Sequence, residues 1–486
     1  MFFYLSGFGF LSCFLLGGST SNGHLSDAIL ALLSIPVLLV ALWRILDAPR
    51  HLETRQALAF CGAIVAIPLL QLVPLPPVLW THLPGREPII AAFELLGRQP
   101  SWAPISMASN STWLSALSLL PPLAVFLSLL TLDWPQRRAL SLLAIAAGVA
   151  SAFLGLAQLA QGPTSSLRFY QITNESSPVG FFANQNHFAA LLYSAIPLTL
   201  AWLAAKLGAM RFASERGHYN VDIVLVMETI AISVVLLTLM TVEAIGRSRA
   251  GIILTMVGLL GSLALTGKPP RHLKNLASPR VVLGVIALAL LFVGNSALVR
   301  ILDRFSVDPL SDQRIVFARN TVSAAKTFMP IGAGLGAFVP VYAMFEKPRD
   351  LVAGEYVNHA HNDLLELWLE TGVAGPLLLC LFLYWLVGRA ARAWGASNPG
   401  PLVIDKYLIR SAILIIALLL CHSLVDYPLR TGALMATTAF ACALLIDPAL
   451  PAVAMDSVAT PIDAGRPRRS SSAIERSQGR FPPPRP

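Results

Sequence analysis

Apolar runs of about twenty residues recur from the N-terminus to residue 448, and nothing else constrains the fold as strongly. A bilayer core takes ~20 apolar residues per helix. Read at that length, the chain predicts twelve spans, at roughly 2–18, 26–46, 56–74, 112–131, 138–161, 187–206, 220–242, 250–267, 281–298, 363–388, 408–426 and 431–448. Only 13% of the residues are charged, against about 25% in soluble domains. The expected fold is therefore all-α: a polytopic membrane protein of about twelve transmembrane helices, with a large loop between spans 9 and 10. The apolar N-terminus lacks a basic leader region, so a retained first span is preferred to a cleaved signal peptide.

Orientation follows from lysine and arginine in the connections. Both termini and the even-numbered connections hold 22 of the 35 basic residues. Of the remaining 13, seven sit in one long loop, which counts little in that rule. Both termini are thus expected to be cytoplasmic. The transmembrane domain covers 1–450, with outer loops at about 75–111, 162–186 and 299–362. Residues 451–486 carry seven prolines, six arginines and no apolar periodicity, which predicts a disordered cytoplasmic tail with a modest attraction to anionic lipid. The net charge of +9 does not argue for nucleic acid, because the basic residues are scattered over short loops. All five cysteines lie in apolar stretches without a CxxC pair, so neither a disulfide framework nor a zinc site is expected.

Polar side chains gather at the outer ends of several spans. In Asn358-His359-Ala360-His361-Asn362-Asp363, His361 is the candidate general base, since imidazole titrates near neutral pH. Asn362, Glu366 and Glu370 follow at helical spacing and define one polar face. Two alternatives stand beside this one. Asn362 or Asp363 could merely cap the helix while the histidines are solvated. His359, His361 and Asp363 could also alternate toward a metal, although no further ligand cluster supports that.

Glu243-Ala-Ile-Gly-Arg-Ser-Arg-Ala-Gly251 places Arg247 and Arg249 in a short outer connection, against the positive-inside tendency. Arg249 stands where span 8 begins. A helix N-terminus and a guanidinium together suit a diphosphate. The alternative is an ion pair with Glu243 plus snorkelling at the interface. Asn184, Asn186 and His187 open span 6 and suit sugar hydroxyls, unless Asn186 serves only as the cap. Asp312 can cap a loop helix running from about Arg314 to before Pro330. Arg314 and Arg319 lie five apart on it, so at most one is expected to face a site. The Gly332–Gly336 run reads as a close-approach turn, not a nucleotide fingerprint.

In this order, Gly180-Phe-Phe-Ala-Asn-Gln-Asn-His-Phe-Ala189, Ser248-Arg-Ala-Gly251, Arg314, Pro330-Ile-Gly-Ala-Gly-Leu-Gly-Ala-Phe338 and His361-Asn-Asp-Leu-Leu-Glu-Leu-Trp-Leu-Glu-Thr-Gly372 resemble the O-antigen ligase and O-antigen polymerase superfamily. The resemblance covers roughly 110–450. It implies an inner-membrane, metal-independent, inverting glycan transferase that needs no cofactor and works on the periplasmic face. The donor would be a glycan on undecaprenyl diphosphate, and the acceptor another glycan or lipid A-core. His361 would be the base and Arg249 the principal diphosphate ligand. Arg247 and Arg314 would help hold the diphosphate, and Arg319, Asn184, Asn186, His187, Asn362 and Glu366 are the further substrate-binding candidates read from the residues themselves. Membrane lipids and other envelope polysaccharide assembly proteins complete the expected partners. The competing readings are a transporter or flippase of lipid-linked sugars, which would line a central cavity with charge, and a non-catalytic envelope scaffold.

Overall fold

The computed structural model describes residues 1–21, 23–47, 52–215, 222–265, 313–351, 357–395 and 402–448. The span expected at 281–298, the Asp312 cap and the tail from 451 lie outside them. The described chain is mostly helical, its one strand pair being the two-residue ladder Pro74–Leu75 with Ala103–Pro104.

Seven described helices are long and apolar enough to cross a membrane: Leu25–Asp47, Leu52–Gln71, Ser109–Leu130, Trp134–Gln161, Gln185–Met210, Ile223–Ile245 and Ala374–Trp394. Phe2–Leu16, Arg249–Ser262 and Gly432–Leu444 are shorter apolar helices. Val403–His422 carries Asp405, Lys406 and Arg410 in its first turns. The bundle is built around Gln185–Met210, whose apolar window is 72% buried, against 6% for Ile223–Ile245. The first therefore belongs to the core, and the second presents its sides outward. The Phe2–Leu16 helix packs inside, with Phe10 stacked on Phe440 at 5.1 Å.

One expected span is corrected. The stretch 363–388 is two helices, Asp363–Thr371 and Ala374–Trp394. Gly372 separates them at φ +59, where any side chain would run into the Pro330 carbonyl. Val373 N–H donates to that same carbonyl at 2.9 Å. The polar helix thus stays in a layer outside the bundle, and the long apolar helix begins after it.

That outer layer has its own small core, made of Ala324, Ala325, Phe328, Phe338, Val341, Tyr342, Ala360 and Leu369 among others. The loop helix is Gln313–Thr327, close to its expected bounds. The glycine run after it is a close-approach element. Ala333 and Gly334 donate to the carbonyls of Leu369 and Glu370 at 2.9 Å each, and Gly336 N–H donates to Glu370 Oε1 at 2.8 Å.

The opposite end of the bundle gathers its own charges. Arg138 binds Asp405 at 2.7 Å, and Arg389 and Arg392 bind Glu53 at 2.8 and 2.9 Å.

Candidate active site

The site assembles on the turn between Val403–His422 and Gly432–Leu444. Asp426 on this turn is fully enclosed, and three separate segments converge on it. His361 Nδ1 lies 3.0 Å from Asp426 Oδ1. Asn186 Nδ2 donates to Oδ2 at 2.5 Å. Arg314 stands 3.9 Å from Oδ2 and donates to the Val425 carbonyl at 2.9 Å. Burial alone would push the Asp426 carboxyl upward. The hydrogen bond from His361, together with the charges of His187, His361 and Arg314, holds it well below the ordinary carboxylate range.

An ionised Asp426 can only accept, so Nδ1 of His361 donates to it, and in the neutral ring the lone pair is then on Nε2. The His361 side chain is 21% exposed. Phe317 stacks on the imidazole at 5.9 Å and Tyr427 meets it edge-on at 4.9 Å. His361 has φ +50 and Arg247 φ +58, the two left-handed non-glycine residues among the described ones. Such backbone is costly for a side-chain-bearing residue and concentrates at functional sites.

His359 faces away from His361. Its Nδ1 binds Glu366 at 2.8 Å and its Nε2 the Thr20 carbonyl at 3.0 Å. The alternation that would have aimed both imidazoles and Asp363 at one ion is spent on separate partners. Burial lowers the His359 imidazole, but Glu366 more than offsets this and raises it overall.

The polar face of the Asp363–Thr371 helix is real, and its occupant is Arg430. This guanidinium lies 3.5 Å from Asp363, 3.5 Å from Glu366 and 2.7 Å from Glu370. Three carboxylates around one cation do not titrate alike. Burial pushes Glu366 upward, yet Arg430 and His359 outweigh it and leave it lowered. Burial dominates at Glu370, which is raised, and at Asp363, which is pushed up to about 6. Glu366 is therefore held inside the protein and does not line an open surface. Asn362 caps the helix, accepting from Leu364 and Leu365 N–H at 3.0 Å each, while its amide donates to the Leu424 carbonyl. The capping reading holds for this residue.

At the start of the central helix, Asn184 Oδ1 accepts from Asn186 N–H at 2.8 Å. His187 is wholly buried, its ring edge-on to Tyr427 at 4.8 Å. That position packs the site and is closed to a sugar. Ser248 caps the Arg249–Ser262 helix by accepting from Gly251 N–H at 3.0 Å. Gly251 lies against Ala189, since a side chain there would come 2.6 Å from its Cβ. This sets the Arg249 end of that helix beside the first turns of the helix that carries Asn186. Arg249 and Arg247 are exposed, and Arg247 donates to the Ser176 carbonyl at 3.4 Å. Glu243, the alternative partner for these arginines, is buried with neither oxygen hydrogen-bonded among the described residues. Of the two loop-helix arginines, Arg314 joins the site. Arg319, 51% exposed, pairs with Asp350 at 3.5 Å.

The geometry thus brings His361, Asn186, Asn362 and Arg314 onto one turn, with Asn184 next to Asn186 and Arg249 at the same end of the bundle. It adds Asp426, Tyr427 and Arg430, which sequence reasoning missed. Their signal was a polar string, Asp426-Tyr-Pro-Leu-Arg430, wedged between two apolar runs.

The class this defines is a multi-pass membrane protein with a histidine–carboxylate pair at the mouth of its bundle. Residues 232–380 match the family model described as O-antigen ligase. No curated protein matches the chain. The match supports the resemblance to the ligase and polymerase superfamily, and the matched stretch contains Arg249, Arg314 and His361. Asn184–His187 and Asp426 lie outside the matched stretch and reach the site through the fold.

Proposed function

We propose that this protein transfers a glycan from undecaprenyl diphosphate to an acceptor hydroxyl, with His361 as the general base. The observation that carries this is the 3.0 Å contact between His361 Nδ1 and a buried, ionised Asp426. Asp426 fixes the tautomer and stabilises the imidazolium that forms. Nε2 takes the proton of the acceptor hydroxyl as its oxygen attacks the anomeric carbon. The bond from that carbon to the diphosphate oxygen breaks, and the anomeric configuration inverts. The diphosphate leaves with its electron pair. Arg249 stabilises that charge, and Arg247 and Arg314 contribute to it. Asn184 and Asn186 bound the acceptor side. The leaving group is already activated, so the step needs neither nucleotide nor metal.

In this reading the chain crosses the bacterial inner membrane twelve times, both termini are cytoplasmic, and the site opens to the periplasm. The gathering of Arg138, Arg389 and Arg392 at the opposite end supports that orientation. The acceptor is lipid A-core for a ligase or a second lipid-linked glycan for a polymerase.

The test is purified protein in liposomes with a lipid-linked glycan donor and chelator present. Release of undecaprenyl diphosphate coupled to acceptor glycosylation is expected. Donor crossing the bilayer without bond formation would replace this reading with a flippase. In cells lacking the protein, long chains stranded on the carrier identify a ligase and single repeats a polymerase.

A further inference from the structure

Tyr427 has three imidazoles around its ring. His359 lies against it at 4.3 Å, His187 meets it at 4.8 Å and His361 at 4.9 Å. The residue is 3% exposed. Its backbone N–H donates to Asp426 Oδ1 at 3.1 Å, the oxygen that also binds His361. One side chain therefore touches both the histidine segment and the Asn184–His187 segment, which come from distant parts of the chain.

His361 needs such a contact. A single hydrogen bond from Nδ1 fixes one atom and leaves the imidazole plane free to swing about it. Phe317 stacks on the ring at 29° between planes, and Tyr427 meets it at 76°. Together they set the direction in which Nε2 points. Its direction matters because displacements of about 1 Å can cost about a hundredfold in rate.

We propose that Tyr427 is the positioning residue of this site. Its ring sets the plane of His361 and packs the His187 segment against the histidine segment. This rests on the reading of His361 as the base. Tyr427 itself touches no reacting atom.

The experiment compares Tyr427→Leu, Tyr427→Phe and His361→Ala in the full-length protein in liposomes, with a lipid-linked glycan donor. Tyr427→Leu is expected to lower kcat by about 10- to 100-fold while the donor KM stays within about twofold. Tyr427→Phe keeps the ring and is expected to recover kcat to within about threefold of wild type. In protein labelled with ¹⁵N-histidine, the His361 imidazole resonance, assigned by its loss in His361→Ala, should move in Tyr427→Leu and stay in Tyr427→Phe. Where the leucine variant does not insert, Tyr427→Met takes its place.

Full kcat in Tyr427→Leu with an inactive His361→Ala overturns the positioning role and leaves the base intact. An active His361→Ala overturns the base. The imidazole resonance then decides Tyr427 alone, and an unmoved signal in Tyr427→Leu overturns the proposal.

Discussion

Asp426 Oδ1 and His361 Nδ1 stand 3.0 Å apart, the carboxylate wholly buried and the imidazole side chain 21% exposed. The two residues are 65 positions apart in sequence. They meet because the turn after Val403–His422 rises beneath the histidine segment. Asp363 N–H donates to the Ser423 carbonyl at 2.9 Å and the Asn362 amide to that of Leu424 at 2.8 Å. The backbone is thereby locked on both sides of the pair.

Asp426→Asn keeps the shape of this contact and removes its charge. Loss of the orienting carboxylate is expected to lower kcat by about 10²- to 10⁴-fold, by analogy with other histidine–aspartate pairs. Membrane insertion and donor binding should be nearly unchanged. Kinetics of the purified variant with a lipid-linked donor check this, and a kcat within twofold of wild type would remove Asp426 from the chemistry.

Arg430 bridges the outer layer to the bundle through Asp363, Glu366 and Glu370. Removing a buried partner strands the opposing charges, a loss of about 3–5 kcal/mol. Arg430→Met should therefore unfold at a distinctly lower temperature in detergent. Arg430→Lys should fall between, since one ammonium cannot reproduce the fork. Equal melting of all three proteins would show the cluster to be incidental.

The His359–Glu366 pair gives stability a defined pH window. The imidazole is raised in the folded state, so its contribution is full below its ordinary value of about 6.5 and is lost as pH climbs through the raised one. Glu366 is lowered, so its contribution is present above the usual carboxylate value and is lost as pH falls through the lowered one. The stability gap between wild type and His359→Gln should be widest in mildly acidic solution and shrink toward pH 9. Thermal unfolding at several pH values measures it, and a gap that grows with pH would contradict the assignment.

Gly372 keeps the polar helix out of the membrane span. At φ +59 a β-carbon is strained, and here it would also meet the Pro330 carbonyl. Gly372→Ala should cost at least about 1–3 kcal/mol and lower activity through the outer layer. Gly388→Ala, in open space on the following helix, is the control and should be silent in the same melting assay.

The helices were largely legible because hydrocarbon length sets the size of an apolar run. Hydropathy could not show the break at Gly372, since Leu364 through Leu369 are apolar enough to extend the following span. His361, Asn362, Asn186 and Arg314 stood out as polar groups at span ends. Asp426, Tyr427 and Arg430 did not. They sit in a connection short enough to pass as a simple turn, and their roles depend on which segments fold above them. Glu366 is read from the sequence as binding substrate because its cation, Arg430, lies some sixty residues later in the chain. Thr20, which supports His359, comes from a region with no motif at all.

The most direct measurement uses cells lacking this protein, rescued by wild type or by His361→Ala, with lipid-linked glycans and surface polysaccharide extracted together. With His361 as the base, the His361→Ala copy inserts normally, glycan stays stranded on undecaprenyl diphosphate, and the surface remains bare. If both copies restore the surface glycan equally, His361 is not the base and glycan transfer at this site is contradicted.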